Sequence, residues 1–295
     1  VSGKSGLEST VKSGVLGATD SWAGAPTQTI NYVSCHDNNT LWDRFTNSCP
    51  DATDEEKAAM TKLASSVVFT SQGVPFFLGG EEMCRTKPLA NGKLDSNSYK
   101  SSDSTNSIKW DTLSSNLVSG VSSYYKGLIE FRKAHPSLRL TTTEDVNNSI
   151  KFSEDVGDNV VAYEVSGKPN GEKADSIFVA YNANKEDVQV KLPKSDKWQV
   201  CVNGEKAGTD VIETINGDTV TVKAQSTMVL VLGDTNGTPD NSNPEDTSKV
   251  TPNDNSNGVN TGDTSTPIVW FAFAGVALLA IAGIVFVTAK KKANR

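Results

Sequence analysis

Residues 30–45 read INYVSCHDNNTLWDRF, an apolar, strand-like run that stops abruptly at His36, Asp37, Asn38 and Asn39. INYVSC has the composition of a short buried strand. The next stretch follows a different rule. Thr53 and Glu56 are spaced as a capping box, and Met60, Leu63, Ala64, Val67 and Val68 then recur at helical spacing. Gly73 stands where such a helix can stop. VPFFLGG (74–80) reads as a second buried strand, and Tyr124, Leu128, Phe131 and His135 mark one face of a further helix that Pro136 halts. Strand, helix, strand, helix with near-continuous apolar strands is the pattern of a parallel α/β unit. Two strands bury too little to stand alone, so the unit is expected to complete a sheet with earlier strands.

From about residue 140 the period changes to two. SIKFSE, NVVAYEVSG, DSIFVAYNAN, DVQVKLP, WQVCVNG and TVTVKAQSTMVLVLG read as strands, with turns expected at Asn203-Gly204 and Asn216-Gly217. This pattern predicts an all-β sandwich over 140–233. Residues 234–266 are rich in Asn, Asp, Thr, Ser, Pro and Gly, which bury too little to offset the entropy of ordering them, and read as a flexible, disordered stalk. Ile268 to Ala289 carries no charge, and as a helix it would span roughly 30 Å, the thickness of a hydrocarbon core. Lys290, Lys291, Lys292 and Arg295 follow, so residues 267–295 read as a transmembrane anchor with a cytoplasmic basic tail and the body outside. Just before that run, GVNTGD resembles the Thr-Gly element of bacterial cell-wall sorting signals, with Gly258-Val259 where Leu-Pro is usual; a sortase acting near Thr261 is what that resemblance implies.

The bulk numbers exclude some classes. The chain has 295 residues and a formal charge of −7, with both signs mixed along it, so it lacks the clustered positive face that a nucleic-acid partner needs. It begins at Val1 with nothing like a signal peptide, and is read as a mature product or the C-terminal piece of something longer. Cys35, Cys49, Cys84 and Cys201 form no CxxC pair, and His36 and His135 are too few for a zinc set. Free thiols are expected and no cofactor or metal site is evident; calcium stays open, though nothing in the chain indicates it.

In a (β/α)8 barrel the reactive groups lie where strands end. His36 and Asp37 take that place after the first strand. After the second comes a long polar loop containing GGEEMCRTK and NSYKSSDSTNSIKWD. Asp, Asn, Arg, Tyr and Trp on such a rim suit a carbohydrate, whose hydroxyls meet planar polar groups and whose C–H faces meet rings. An ionised Asp there can stabilise an oxocarbenium-like transition state. Glu81 and Glu82 are adjacent and point apart, against an acid–base pair. His135 reads as a helix-end residue, and Trp110, Trp198 and Tyr163 as packing. Asp103 and Asn106 could equally cap a turn.

INYVSCHDNNTLWDRF, SQGVPFFLGGEEMCRTK and NSYKSSDSTNSIKWD, in this order and spacing, resemble a conserved strand end and the eighth-strand segment of the alpha-amylase superfamily (glycoside hydrolase family 13), in the form found in type I pullulanases. The resemblance covers residues 1 to about 233 and implies a specific fold: α/β plus all-β, with the last two β/α units of a (β/α)8 (TIM) barrel over 1–139. It also implies roles. Asp37 is matched to the transition-state stabiliser, and His36, Asn38, Trp42, Asp43, Arg85, Asn97, Tyr99, Asp103 and Asn106 to substrate-binding positions. Glu81 departs from the family, where Gln is frequent, and Cys84 from an apolar residue. The family's nucleophile and general acid lie on strands that would precede residue 1, and both carboxylates are needed for a retaining mechanism. The expected activity is debranching of alpha-1,6 linkages in alpha-glucan polysaccharide (pullulan, starch or glycogen) by the full-length protein, this part alone being inactive. The expected place is the external, membrane-anchored face of a bacterial cell. The alternatives are an alpha-1,4-acting amylase or neopullulanase, and a non-catalytic surface glucan-binding module.

Overall fold

The computed structural model describes residues 1–236. The chain opens with α1 (Glu8–Val15), passes through β1 (Ile30–Asn31), α2 (Leu41–Ser48) and α3 (Asp54–Thr70), and returns to β2 (Val74–Pro75). β1 and β2 pair in parallel, Ile30 opposite Val74 and Asn31 opposite Pro75, with α2 and α3 as the crossover. A long loop holding the short helix α4 (Asp103–Asn106) leads to α5 (Asn116–Ala134).

The helix boundaries follow local chemistry. The Thr53 side chain accepts from the Glu56 amide at 3.2 Å while the Glu56 carboxylate accepts from the Thr53 amide at 2.8 Å, so the capping box is formed. Asp54, Glu55 and Glu56 then place negative charge at the positive end of the α3 dipole. At the other end, the Arg132 guanidinium of α5 donates to the carbonyls of Phe69 (2.8 Å), Ser71 (2.7 Å) and Gly73 (2.8 Å). The first two are carbonyls a helix terminus leaves unpaired and the third belongs to the turn into β2, so α5 caps α3 from the side. Gly73 turns the chain into β2 with φ +100°, and a Cβ there would strike the Thr29 side chain. α5 ends at His135 because Pro136 follows.

The two parallel strands are shorter and barer than their sequence suggests. INYVSC and VPFFLGG were expected to be buried strands, but only two residues of each qualify, and Ile30, Tyr32, Val74 and Phe76 are exposed, Ile30 by 63%. The cause is one-sided cover. Phe77 packs toward α3 and α5 through Phe69 and Tyr125, whereas the Ile30, Tyr32, Val74 and Phe76 side chains have no layer over them among the described residues.

After α6 (Thr143–Ser149), a helix capped by Thr142 that the alternation pattern gave no sign of, come β3 (Ile150–Phe152), β4 (Val160–Ser166), β5 (Ser176–Asn182), β6 (Val188–Val202), β7 (Glu213–Val222) and β8 (Ser226–Leu232). They form one antiparallel sheet in the order β3-β4-β5-β8-β6-β7. The two-sheet sandwich is thus corrected to a single sheet that folds over itself. Val190 and Leu192 of β6 and Val220 and Val222 of β7 share a core with Phe178 and Ala180 of β5 and Leu230 of β8. DVQVKLP and WQVCVNG, read as separate strands, are the two halves of β6, with the ladder irregular between Lys191 and Asp196. Asn216-Gly217 is not a turn. It lies within β7, opposite Lys197 and Asp196, where the irregularity of the partner strand accommodates it. Asn203-Gly204 does turn, with the Asn203 carboxamide oxygen accepting from the amides of Glu205 and Lys206.

β5 and β8 are buried along their whole length, because both faces of the sheet are covered. Ile177, Val179, Val229 and Val231 face Leu63, Phe69, Tyr124, Leu128 and Phe131 of α3 and α5. Hydroxyl groups tie the layers together: Tyr163 donates to the Thr70 carbonyl at 2.8 Å, and Tyr124 to the Asn203 carbonyl at 3.0 Å. The predicted boundary at residue 139 therefore runs through one shared core. The stalk read over 234–266 starts too early: Thr235 is buried, with its carbonyl bonded to His135 Nε2, so the chain still packs on the body there. Residues from 237 on, including Thr261 and the Ile268–Ala289 run, lie outside the described residues; among the described ones no helix is long and apolar enough to cross a membrane.

Candidate active site

His36 and Asp37 stand at the end of the chain segment leaving β1. His36 Nε2 lies 3.6 Å from Asp37 Oδ2, and the two side chains are 83% and 71% exposed. Asn38, also exposed, adopts a left-handed φ of +65°, a conformation Asn tolerates better than most residues. That turn presents both preceding side chains to solvent and lets Thr40 cap α2, its hydroxyl accepting from the Asp43 amide at 3.1 Å.

The other matched residues divide into two groups. Asn97, Tyr99 and Asp103 are exposed, Tyr99 by 75%, with Lys100 Nζ 5.3 Å from its ring centroid. The rest face inward. Asp43 is fully buried: Oδ1 accepts from the Thr86 hydroxyl at 2.5 Å and Oδ2 from the Lys87 amide at 2.9 Å. Arg85 donates to the carbonyls of Gly79 and Asn106, and the Asn106 side chain donates to the carbonyls of Ser98 (2.6 Å) and Ser101 (3.1 Å). Trp42 is half-buried, with Lys57 Nζ 4.9 Å from its ring centroid. Asp43, Arg85, Asn106 and Trp42 therefore shape the rim from within, and only His36, Asp37, Asn38, Asn97, Tyr99 and Asp103 offer open surface. Because Asp43, in the first turn of α2, grips residues 86 and 87, the start of α2, just after the His36–Asp37 turn, and the loop after β2 form one connected rim.

Four further ionisable groups lie along this rim. Glu81 is 4% exposed, and its carboxylate accepts from the Ser34 hydroxyl and, at 2.9 Å, from the Tyr125 hydroxyl. Burial pushes its pKa up, and the two hydrogen bonds offset this only in part. Glu82 turns the other way and accepts from the Gly80 amide at 3.0 Å. Lys87 is buried, donates to the Ser98 hydroxyl at 2.7 Å, and has its pKa lowered by burial and then by the nearby Arg85 charge. Asp95 accepts from Ser101 and from the Asn97 amide, bonds that lower its pKa. Glu81 was legible only as half of an adjacent pair; its partners lie on segments 44 or more residues away.

Other expectations fall out simply. His135 and Tyr163 are fully buried, and Trp198 is buried with its indole donating to the Lys194 carbonyl at 3.0 Å. Trp110 is not packed: it is 68% exposed on the loop after β2. All four cysteines are free. No group of three His, Cys, Asp or Glu placed to hold a metal ion occurs among the described residues.

A family model described as the pullulanase all-beta domain matches residues 146–206, which span β3 to the turn after β6. The pullulanase of Bacillus subtilis (strain 168) is 31% identical over 210 residues, 70% of this chain and 27% of that protein. The structure of the pullulanase from Bacillus acidopullulyticus superposes with a TM-score of 0.73 at 37% identity, over 78% of this chain and 27% of the other.

The chain is similar to one part of these pullulanases.

Pullulanase from Paenibacillus barengoltzii, solved in complex with maltohexaose and alpha-cyclodextrin, gives a TM-score of 0.69 at 36% identity, over 79% of this chain and 35% of that one. The likeness is thus to a glycosidase family, and the chain spans roughly a quarter to a third of the length of these relatives. The match takes in the helices and the antiparallel sheet of this chain.

Proposed function

We propose that this chain is part of an alpha-glucan debranching glycoside hydrolase that cleaves alpha-1,6 linkages with retention of configuration. The observation that carries the reading is the pair His36 and Asp37, side by side and open to solvent beyond β1, on a rim joined to the loop after β2 by Asp43. In that setting the Asp37 carboxylate stabilises positive charge developing at the anomeric carbon, and His36 donates to a sugar hydroxyl. The nucleophile and the general acid come from strands outside this chain. The bare apolar face of β1 and β2 supports that division, since a completed barrel would cover Ile30, Tyr32, Val74 and Phe76. The uncharged run at Ile268–Ala289 and the basic residues after it support retention at the outer face of a membrane, where a polymer is accessible.

The test is hydrolysis of pullulan by the longer protein that contains this chain. Asp37→Asn is expected to lower kcat by about 100-fold to 1,000-fold with little change in thermal stability, because the side chain is exposed. Activity within a factor of about three of the parent would refute the assignment. Preference for amylose over pullulan would move the reading to an alpha-1,4-acting enzyme. Exposed Tyr99 and Trp110 also suit a glucan-binding module, and binding without hydrolysis would select that alternative.

A further inference from the structure

The His36–Asp37 turn has little holding it in place on its own. Both side chains are open, Asn38 is in the left-handed region, and the paired part of β1 ends at Asn31. Ser34, two residues before His36, is by contrast 6% exposed, and its hydroxyl donates to Glu81 Oε2. Glu81 Oε1 accepts in turn from Tyr125 of α5 at 2.9 Å, and the Tyr125 ring is wedged edge-on between Phe69 of α3 and Phe77. One carboxylate thus links the segment leaving β1, the turn after β2 and α5.

We propose that Glu81 is a positioning residue that holds the His36–Asp37 turn at the rim by tethering Ser34 to Tyr125. The inference rests on the reading of His36 and Asp37 as the substrate-facing pair. A carboxylate is not essential to the tether. A side-chain amide can accept from one hydroxyl and donate to the other, so Gln preserves the bridge, whereas an apolar residue of similar size removes both bonds. That difference separates positioning from mere space-filling.

The experiment is 15N relaxation on the full 295-residue chain, comparing amides 35–39 with those of α5 and β8. In the parent chain and in Glu81→Gln, order parameters at 35–39 are expected near about 0.85; in Glu81→Leu and in Ser34→Ala they should fall below about 0.6 while α5 and β8 stay unchanged. Should Glu81→Leu fail to fold, Ser34→Ala decides alone. The proposal is overturned by a turn already mobile in the parent, by unchanged order in both disrupting variants, or by loss spread equally over α5 and β8. Pullulan hydrolysis by Asp37→Asn reads the catalytic assignment in a separate assay, so either claim can fail without the other.

Discussion

A buried acid–base pair closes the end of α5, away from the rim. Glu172 Oε1 lies 3.1 Å from His135 Nδ1 and also accepts from the amides of Lys173 (2.9 Å) and Ala174 (3.0 Å). Glu172 Oε2 accepts from the Ser137 hydroxyl at 2.8 Å. On the far side of the ring, His135 Nε2 donates to the Thr235 carbonyl at 3.2 Å. Each ring nitrogen thus has one oxygen partner, a carboxylate on one side and a backbone carbonyl on the other. Burial works against ionisation of Glu172, yet the hydrogen bond and charge of His135, with the Ala174 amide and Ser137, outweigh it and bring its pKa from 4.5 down to about 2. At about 1.36 kcal/mol per pH unit, that fall is worth about 3 kcal/mol to the folded state. The sign is that of a carboxylate with a depressed folded pKa: the stability is present above pH 4.5 and is lost as pH falls through about 2. Glu172→Gln should therefore cost about 3 kcal/mol at neutral pH, in line with removing one partner of a buried pair. Near pH 3 the cost should shrink to about 1.5 kcal/mol, because the unfolded carboxyl is by then protonated. Urea unfolding followed by tryptophan fluorescence at the two pH values measures both. A cost below about 1 kcal/mol at neutral pH, or one that does not change with pH, would refute the reasoning.

Three smaller perturbations are equally direct. Gly127→Ala on α5 drives a methyl group into the Ala207 carbonyl and should destabilise by about 1–3 kcal/mol or more, read as a lowered urea midpoint; an unchanged midpoint would mean the turn after β6 yields freely. Asp43→Ala orphans the buried Lys87 amide and the Thr86 hydroxyl, for an expected loss of about 2–3 kcal/mol and proteolytic opening of the 86–106 loop. Thr53→Ala removes half of the α3 capping box and should cost about 1 kcal/mol, with α3 amides near residue 56 exchanging faster.

The candidate site shows where sequence reading runs short. Asp43, Arg85 and Asn106 have the side chains of ligand-binding residues and the spacing of a matched motif, yet each bonds through its side chain to loop partners, Asp43 to residues 43 and 44 positions away. Nothing local distinguishes them from Asn97 or Asp103, which remain open. Glu81 is the converse case: it sat beside Glu82 in an unremarkable pair until the fold delivered Ser34 and Tyr125 to its two oxygens.

What the sequence determined by itself is whatever nearest neighbours decide. Thr53 and Glu56 set the start of α3, Pro136 the end of α5, and the apolar runs at 176–182 and 226–232 the central strands, since caps, missing amides and burial demand act within a few residues. Only the tertiary structure decided that β1 and β2 stay half-bare, that Asn216-Gly217 continues a strand instead of turning, and that the helical and all-β parts share one core. Each of those outcomes depends on which distant surface arrives to cover a face or claim a hydrogen bond, and that information is spread over the whole chain.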